Sequence, residues 1–97
     1  MAVIEIVRFR LKDGTDEGEF RLLNERFQRE VVPTLPGLER REASRADDGE
    51  WVLVLRYRDM GTAERGPGAD TSELSGRFIA MIDMASMSAA RSQIVSE

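Results

Sequence analysis

The feature that most constrains the fold is the stretch EWVLVLRYR at residues 50–58, which is apolar on both faces of a predicted strand. Alternate side chains of a strand point to opposite faces. One face carries Trp51, Leu53, Leu55 and Tyr57, and the other carries Val52, Val54, Arg56 and Arg58. Because both faces begin apolar, both need cover, which indicates a central strand of a sheet. The helices of the chain can cover one face, and a second copy of the chain is the simplest cover for the other.

Residues 3–12 repeat this pattern and predict a first strand. Its faces carry Val3, Glu5, Val7, Phe9 and Leu11 on one side and Ile4, Ile6, Arg8 and Arg10 on the other. If the two strands are neighbours, the aliphatic residues of their second faces form one exposed patch, and such a patch usually marks an interface. We therefore predict a homodimer that packs sheet on sheet. The predicted interface consists of Ile4, Ile6, Val52, Val54, Arg56 and Arg58.

A helix is predicted after the first strand. Asp16 followed by Glu19 forms a capping box at its start. An apolar stripe with helical spacing then continues to about residue 32, and it contains Phe20, Leu23, Phe27 and Val31. Asn24 lies within that stripe, where a polar side chain needs a partner or a role. Pro33 disfavours helical backbone at the residue before it and ends or kinks the helix.

The rest of the chain predicts an edge strand, a hairpin, a second helix and a last strand. Residues 38–46 are mostly charged, which is typical of an edge strand, and residues 47–49 (DDG) form the hairpin loop. One helical turn is predicted at residues 62–65, and residues 66–68 (GPG) end it. Asp70 and Glu73 then cap a helix with a stripe of Leu74, Phe78, Met81, Ile82 and Ala85. We predict a strand at residues 86–95, and a continued helix there stays open.

The order β-α-β-β-α-β predicts an α+β ferredoxin-like sandwich with both helices on one face of the sheet. The 97 residues, 41% hydrophobic and 33% charged, suit one domain covering residues 1–97. The net charge of −4 argues against a nucleic-acid partner. No apolar run is long enough to span a membrane. We therefore expect a cytoplasmic protein without a nucleic-acid or membrane partner.

Two residue types are missing from the chain, and their absence limits the reactions and metal sites that the protein can support. There is no Cys and no His, which excludes disulfides, cysteine nucleophiles, the commonest zinc sites and Ser-His-Asp triads. We expect no metal and no cofactor. Any acid or base must be a carboxylate, Lys12, Tyr57 or a backbone group.

The sequence FRLKDGT followed by a helix, then PTLPGL, a charged strand, a D-G hairpin and WVLVLRYRD resembles the dimeric α+β barrel superfamily. Within that superfamily the chain is most similar to the antibiotic-biosynthesis-monooxygenase-like domains, with the stress-responsive A/B-barrel domains second. The resemblance extends over about the whole chain as a pattern of elements and turns, without a signature for one activity. It implies a homodimer with joined sheets. Some members oxidise aromatic polyketide-type compounds without a metal or flavin, and others degrade haem.

The residues of the haem-degrading members are not matched here. Those members use an Asn on the first strand, a Trp on the third strand and a His near the second helix. Val7 and Tyr57 occupy the first two positions, and the chain has no His for the third. Haem degradation by that route is therefore not expected.

The resemblance also implies that the odd-numbered faces of the first and third strands meet the helices. The catalytic candidates are Asn24, which could hold an oxyanion or dioxygen, and Tyr57, which could relay a proton. The residues expected to line a pocket for a flat apolar or aromatic ligand are Trp51, Phe9, Phe20, Phe27, Leu55 and Glu5. The alternative is that Asn24 bonds a backbone group, Tyr57 is a core aromatic, and Glu5 is solvated or paired.

A second cluster is predicted from Arg8, Arg10, Arg56 and Arg58. If the first and third strands are parallel neighbours, which we expect, these four guanidinium groups gather at one end of the interface face. Such a cluster could bind an acidic ligand. More often, carboxylates neutralise it, and the nearby candidates are Glu39, Glu42 or their counterparts in the second chain.

Two functions stay open. The first is a cofactor-independent monooxygenase of a small aromatic or polyketide-type compound. The second is a non-catalytic dimer that binds a small ligand or serves as an interaction module, which the lack of His and Cys favours. A helix–sheet cavity on which Asn24 and Tyr57 converge would favour the enzyme. An RNA-recognition role is rejected, because the open sheet face carries Ile, Val and Arg in place of aromatic residues.

Overall fold

The computed structural model describes residues 1–65 and 73–97. The elements are β1 (Val3–Leu11), α1 (Glu17–Glu30), a 3-10 turn (Val32–Thr34), β2 (Leu38–Arg45), β3 (Trp51–Tyr57), α2 (Met60–Arg65), α3 (Glu73–Ala80) and β4 (Ile82–Gln93). The four strands form one antiparallel sheet in the order β2-β3-β1-β4. This arrangement confirms the predicted α+β ferredoxin-like fold.

β3 is a central strand, as its two apolar faces predict, because it pairs with β2 on one side and β1 on the other. The odd-numbered residues of β1 from Val3 to Phe9, and of β3 from Trp51 to Tyr57, are buried under the helices. The even-numbered aliphatic residues lie on the opposite surface of the sheet, which we call the open face: Ile4, Ile6, Val52 and Val54. All four are only half-buried within one chain.

α1 begins where the capping signal predicts it. The Asp16 side chain accepts a 3.1 Å hydrogen bond from the backbone N–H of Glu19, which satisfies one of the free donors at the helix start. The predicted stripe of Phe20, Leu23, Phe27 and Val31 is buried. The α-helix ends at Glu30, somewhat earlier than predicted, and the chain continues as a 3-10 turn that contains Pro33.

The β2–β3 hairpin closes over residues 46–50. The backbone N–H of Ala46 donates to the Glu50 carbonyl at 2.8 Å, and the Asp48 side chain accepts from the Glu50 N–H at 3.0 Å. Gly49 has a φ of +94°, a conformation that only glycine adopts without strain. This loop fixes which residues of β2 face inward, and β2 lies at the edge of the sheet as predicted.

The last strand is confirmed, but the predicted start of it is wrong. β4 begins at Ile82, so Met81, Ile82 and Ala85 do not belong to a helical stripe. The reason is the length of β1, whose Leu11 still pairs with Ile82 after a register shift, while the Lys12 N–H donates to the Met81 carbonyl. The predicted break at residues 66–68 and the Asp70 cap lie outside the described residues.

The core between the helices and the sheet contains a cluster of aromatic rings. Phe20 is fully buried and contacts Trp51, Phe9 and Phe78, with ring centres 4.9 Å, 6.0 Å and 4.9 Å away. Phe27 stacks on Phe78 at 5.5 Å. Within residues 1–65 and 73–97, no helix is both long enough and apolar enough to cross a bilayer.

The predicted arginine cluster is wrong, because β1 and β3 are antiparallel. The register places Arg56 opposite Ile4, and Arg8 opposite Val52, so the arginines of the two strands lie at opposite ends of the sheet. A hairpin makes β3 antiparallel to β2, and the α1 crossover makes β1 run parallel to β2. β3, which lies between them, is therefore antiparallel to both.

The expected neutralisation by carboxylates is present at both ends. Arg8 pairs with Glu50 at 3.4 Å and Arg10 with Asp48 at 3.0 Å. At the other end, Arg56 pairs with Glu39 at 3.3 Å and also with Glu97, and Arg58 pairs with Asp59 at 3.4 Å. Glu42 pairs with Arg40 instead.

Candidate functional site

A cavity of about 280 Å³ lies between the helices and the sheet. All four strands contribute inward-facing residues to it, and α1 and α3 contribute Phe27, Phe78 and Ile79. Ile79 and Met84 line the cavity and are about half exposed, so part of its rim is apolar and in contact with solvent. The walls are mainly apolar, and the polar groups among them are Glu5, Arg41, Tyr57, Ser75 and Arg91.

The sheet register explains why three charged side chains meet at this cavity. Leu55 of β3 lies opposite Arg41 of β2 on one side and opposite Glu5 of β1 on the other. Glu5 in turn lies opposite Arg91 of β4. Side chains directly opposite each other in an antiparallel sheet share a face, so this row presents two guanidinium groups and one carboxylate to the helix side.

Arg41 is buried, with 6% of its surface exposed. Its Nη1 donates to Gln28 Oε1 and its Nη2 donates to Asn24 Oδ1, both at 2.8 Å. The Gln28 amide donates back to the Arg41 backbone carbonyl at 3.1 Å. The guanidinium carbon lies 5.0 Å from the ring centre of Phe27 and 5.5 Å from that of Phe78. Burial lowers the pKa of Arg41 to about 10, so the side chain remains charged at neutral pH.

Tyr57 ends β3 and its side chain is buried in the wall of the cavity. Burial, with a smaller contribution from the charge of Glu5, raises the pKa of Tyr57 to about 12, although Arg91 and Arg41 oppose this rise. The phenol is therefore neutral at physiological pH. It can donate or accept a hydrogen bond, and it is a poor base.

Glu5 and Arg91 form an ion pair in the wall, with Arg91 Nε 2.5 Å from Glu5 Oε2. The Glu5 side chain is only 4% exposed, and the Arg91 side chain is 39% exposed. A buried carboxylate is costly unless it is paired, and Arg91 supplies that pair. Glu5 thus lines the cavity, as expected of a ligand-binding residue, and is also paired, as the alternative interpretation requires.

The structure brings together five of the predicted site residues and leaves three elsewhere. Glu5, Phe9, Phe27, Leu55 and Tyr57 line the cavity. Phe20 and Trp51 do not line it; they pack edge to face against each other, and Phe20 also contacts the wall residues Phe9 and Phe78. Asn24 is half-buried on α1 and also does not line it, because its side chain carbonyl accepts from Arg41.

The sequence interpretation missed Arg41 and Arg91. Both lie on strands whose polar composition hides which residues face inward. A signal for Arg41 exists in the sequence: counting outward from the hairpin loop places it opposite Leu55, an inward position. Arg91 could be found only with the register of β4, which is interrupted between Arg8 and Arg10.

The open face is a second candidate site, at which the surface of another protein could bind. Ile6 lies opposite Val54 at its centre, and β4 adds the small residues Ser88, Ala90 and Ser92 beside β1. Arg56 lies at one end, held by Glu39 and Glu97. The face is therefore apolar at its centre and charged at its end.

Solved structures show what the chain is similar to. SnoaB, a cofactor-independent oxygenase from Streptomyces nogalater, has a TM-score of 0.75 at 16% identity, covering 99% of this chain and 95% of that one. A Caulobacter crescentus CB15 protein, described provisionally as an antibiotic biosynthesis monooxygenase, has a TM-score of 0.76 at 13% identity, covering 98% and 91%. The chain shares its fold with both proteins.

The shared ferredoxin-like fold confirms what the sequence resemblance implied about architecture. A dimeric ferredoxin-like protein of unknown function from Jannaschia sp. CCS1 shares it, with a TM-score of 0.70 at 10% identity, covering 97% of this chain and 100% of that one. No protein-family model matches the chain, and no curated protein matches it in sequence. Since identities this low establish a fold and not a reaction, the function is argued from the cavity itself.

Proposed function

We propose that the protein is a homodimeric, cofactor-independent monooxygenase-like enzyme that acts on a small aromatic or polyketide-type compound. The observation that carries the proposal is the apolar cavity of about 280 Å³ with Tyr57 in its wall. Apolar clefts with a few polar groups are the usual binding sites of small molecules. The similar fold of SnoaB, a cofactor-independent oxygenase, supports this type of reaction.

The shape of the cavity suits a flat apolar ring. Phe27 and Phe9 offer aromatic surfaces, and Leu55 forms part of the floor on the sheet. Burial of such a ring against these side chains supplies the main binding energy, at roughly 25 cal/mol per Å² of apolar surface. The polar groups then fix the orientation of the ring.

In a reaction without a metal or flavin, the substrate itself must supply the electrons that reduce dioxygen. For a methylene group activated by two aromatic rings, the balanced change is CH2 + O2 → C=O + H2O. One oxygen atom enters the ketone and the other leaves as water, and the substrate carbon supplies all four electrons that dioxygen accepts. Loss of a proton from that carbon gives the electron-rich anion that reacts. The task of the protein is therefore to position and stabilise this anion.

The residues in the wall have distinct roles in this proposal. Tyr57, neutral because burial raises its pKa to about 12, donates a hydrogen bond to a substrate oxygen. Glu5 is the only carboxylate among the described residues that line the cavity, and it can accept a proton from the substrate. Asn24 acts through Arg41, to which it is bonded, and so positions the wall without touching the substrate.

The proposed dimer joins two open faces. Burial of Ile4, Ile6, Val52 and Val54 against a second copy removes a half-exposed aliphatic surface from water. The residues at the end of that face, Arg56 and Arg58, then lie at the rim of the interface. The description of the Jannaschia protein as dimeric supports this assembly.

A non-catalytic ligand-binding dimer is the second candidate, and two observations favour it. Asn24 does not reach the cavity because Arg41 occupies its carbonyl oxygen. Tyr57 is a weak acid and a poor base near neutral pH. The wall therefore holds few groups suited to proton transfer, although it remains suited to binding.

Oxygen consumption distinguishes the two candidates. With 1,8-dihydroxy-9-anthrone as the probe, the enzyme should speed oxygen uptake above the rate in buffer, with one O2 consumed per ketone formed. Tyr57→Phe should lower this rate about 100-fold. The matched control is Arg45→Met, because Arg45 lies on β2, pairs with Glu17 and does not line the cavity. Binding of the probe without faster uptake would select the non-catalytic candidate.

A further inference from the structure

We propose that Arg41 makes the cavity selective for aromatic compounds that carry a negative charge, such as a carboxylate or a phenolate, with the guanidinium as the partner of the anion. This inference rests on the proposed function of the cavity as a ligand site. It names the chemical class of the ligand and the residue that recognises it.

The first step is that Arg41 carries a buried charge without a counter-ion among the described residues. Glu5 and Arg41 are the two charged residues that are buried in the described part of the chain. Glu5 is paired with Arg91. Arg41 lies within hydrogen-bond distance of two neutral amide oxygens, those of Asn24 and Gln28, and of no carboxylate among the described residues. A charge that is buried and not neutralised destabilises the empty protein.

The second step is that Arg41 keeps unused donors. A guanidinium group has five N–H donors in a planar fork. In the described structure, one donor of Nη1 goes to Gln28 and one donor of Nη2 goes to Asn24. Arg41 also belongs to the cavity wall. A planar fork with free donors matches a carboxylate or a phenolate oxygen better than a neutral group.

The third step is the balance of charge around the cavity. Its described lining contains one carboxylate, that of Glu5, and two guanidinium groups, those of Arg41 and Arg91. The wall therefore carries a net positive charge, although the whole chain carries a net charge of −4. Because Glu5 neutralises Arg91, the excess positive charge belongs to Arg41. An anionic ligand would neutralise it inside a space of low polarity, where the attraction is strong.

The fourth step is that the position of Arg41 is fixed. Gln28 holds both its guanidinium and its backbone carbonyl, at 2.8 Å and 3.1 Å. The aromatic rings of Phe27 and Phe78 lie 5.0 Å and 5.5 Å from its guanidinium carbon. A donor that is held in place before the ligand arrives loses little freedom on binding, which favours selectivity.

The test uses two probes of nearly the same shape, 2-naphthoate and 2-naphthamide, and measures the dissociation constant of each by calorimetry at pH 7.5. The wild-type protein should bind 2-naphthoate about 10- to 100-fold more tightly, the ratio expected for hydrogen bonds to a charged group. Arg41→Met should bring the two dissociation constants close together. Arg41→Lys should retain a preference for the anion, because it retains the charge.

Arg45→Met is the matched control, since Arg45 lies on the same strand outside the cavity, and it should keep the wild-type ratio. Equal binding of both probes by the wild-type protein would overturn the inference and leave the cavity as a ligand site. An unchanged ratio in Arg41→Met would overturn the assignment to Arg41. If neither probe binds, the proposed function fails and the inference fails with it. The wild-type ratio provides a test even if Arg41→Met does not fold.

Discussion

Arg41 donates a 2.8 Å hydrogen bond from Nη2 to Asn24 Oδ1, and this bond connects the edge strand β2 to α1. The sequence marks Asn24 as a polar residue in an apolar stripe, and the structure shows its partner. The pair closes the outer wall of the cavity, because Arg41 lines the cavity and Asn24 lies behind it. Asn24 therefore has a structural role that can be measured apart from any reaction.

Asn24→Ala should lower the free energy of unfolding by about 1–3 kcal/mol, because it removes a half-buried acceptor from a charged donor. The measurement is urea unfolding followed by circular dichroism. Glu25→Ala is the control, since Glu25 is the next residue of α1 and is exposed. It should change the stability by less than about 0.5 kcal/mol. Equal effects of the two substitutions would show that the bond contributes nothing.

Tyr57 is the only tyrosine of the chain, so its ionisation can be followed directly by absorbance near 295 nm. In the folded protein the phenolate should appear with a pKa of about 12. In guanidinium chloride it should appear near the usual value of about 10. If the Tyr57 phenol of the folded protein ionised with a pKa near 10, the phenol would be open to water.

The same shift predicts how stability depends on pH. Because the folded pKa is raised, the folded state keeps its proton between about pH 10 and pH 12 while the unfolded state loses it. The stabilising contribution of Tyr57 is therefore complete below pH 10 and is lost as the pH rises through 12. Comparing wild type with Tyr57→Phe isolates this contribution, since Arg41 titrates in both proteins. The stability difference between the two should change over this range and be constant below it.

The open face predicts the assembly state. Val54→Asp places a charge opposite Ile6 at the centre of that face, and it should convert a dimer to single chains of 10.9 kDa. Sedimentation velocity at micromolar concentration measures this. Leu22→Asp is the matched control, because Leu22 is 64% exposed on α1, and it should leave the dimer intact. A wild-type protein that sediments as a single chain would rule out the proposed interface.

The sequence allowed the fold to be predicted because alternation identifies the two faces of a strand without knowledge of its neighbours. Alternation predicts that Trp51 and Val52 lie on opposite faces of the strand. In the structure, Trp51 is buried and Val52 is half-buried on the other face. The relative direction of β1 and β3 was predicted wrongly. Direction depends on how the intervening elements cross the sheet, and no local pattern of Arg8 or Arg56 encodes it.

The candidate site could be predicted in part, for a similar reason. Tyr57 and Leu55 were found because they belong to an apolar pattern on a central strand. Arg41 was missed because β2 is rich in charge, and on such a strand composition does not distinguish the one buried guanidinium from its exposed neighbours. For Trp51, the pattern predicts the face of the strand on which the side chain lies and not its position along the strand.

Ala89 offers a direct test of whether the helix–sheet cavity is the ligand site. Ala89 lies on the edge strand β4 and lines the cavity, and its surface exposure leaves room for a larger side chain. Ala89→Trp should fill part of the cavity without disturbing the packed core. Ala85→Trp is the control on the same strand, because Ala85 is exposed and does not line the cavity.

The deciding measurement is calorimetric titration of both variants with 2-naphthoate. If the cavity is the ligand site, Ala89→Trp should weaken binding at least about tenfold, a loss of about 1.4 kcal/mol, while Ala85→Trp keeps the wild-type affinity. If Ala89→Trp binds 2-naphthoate as tightly as the wild-type protein does, the ligand lies elsewhere and the account is contradicted.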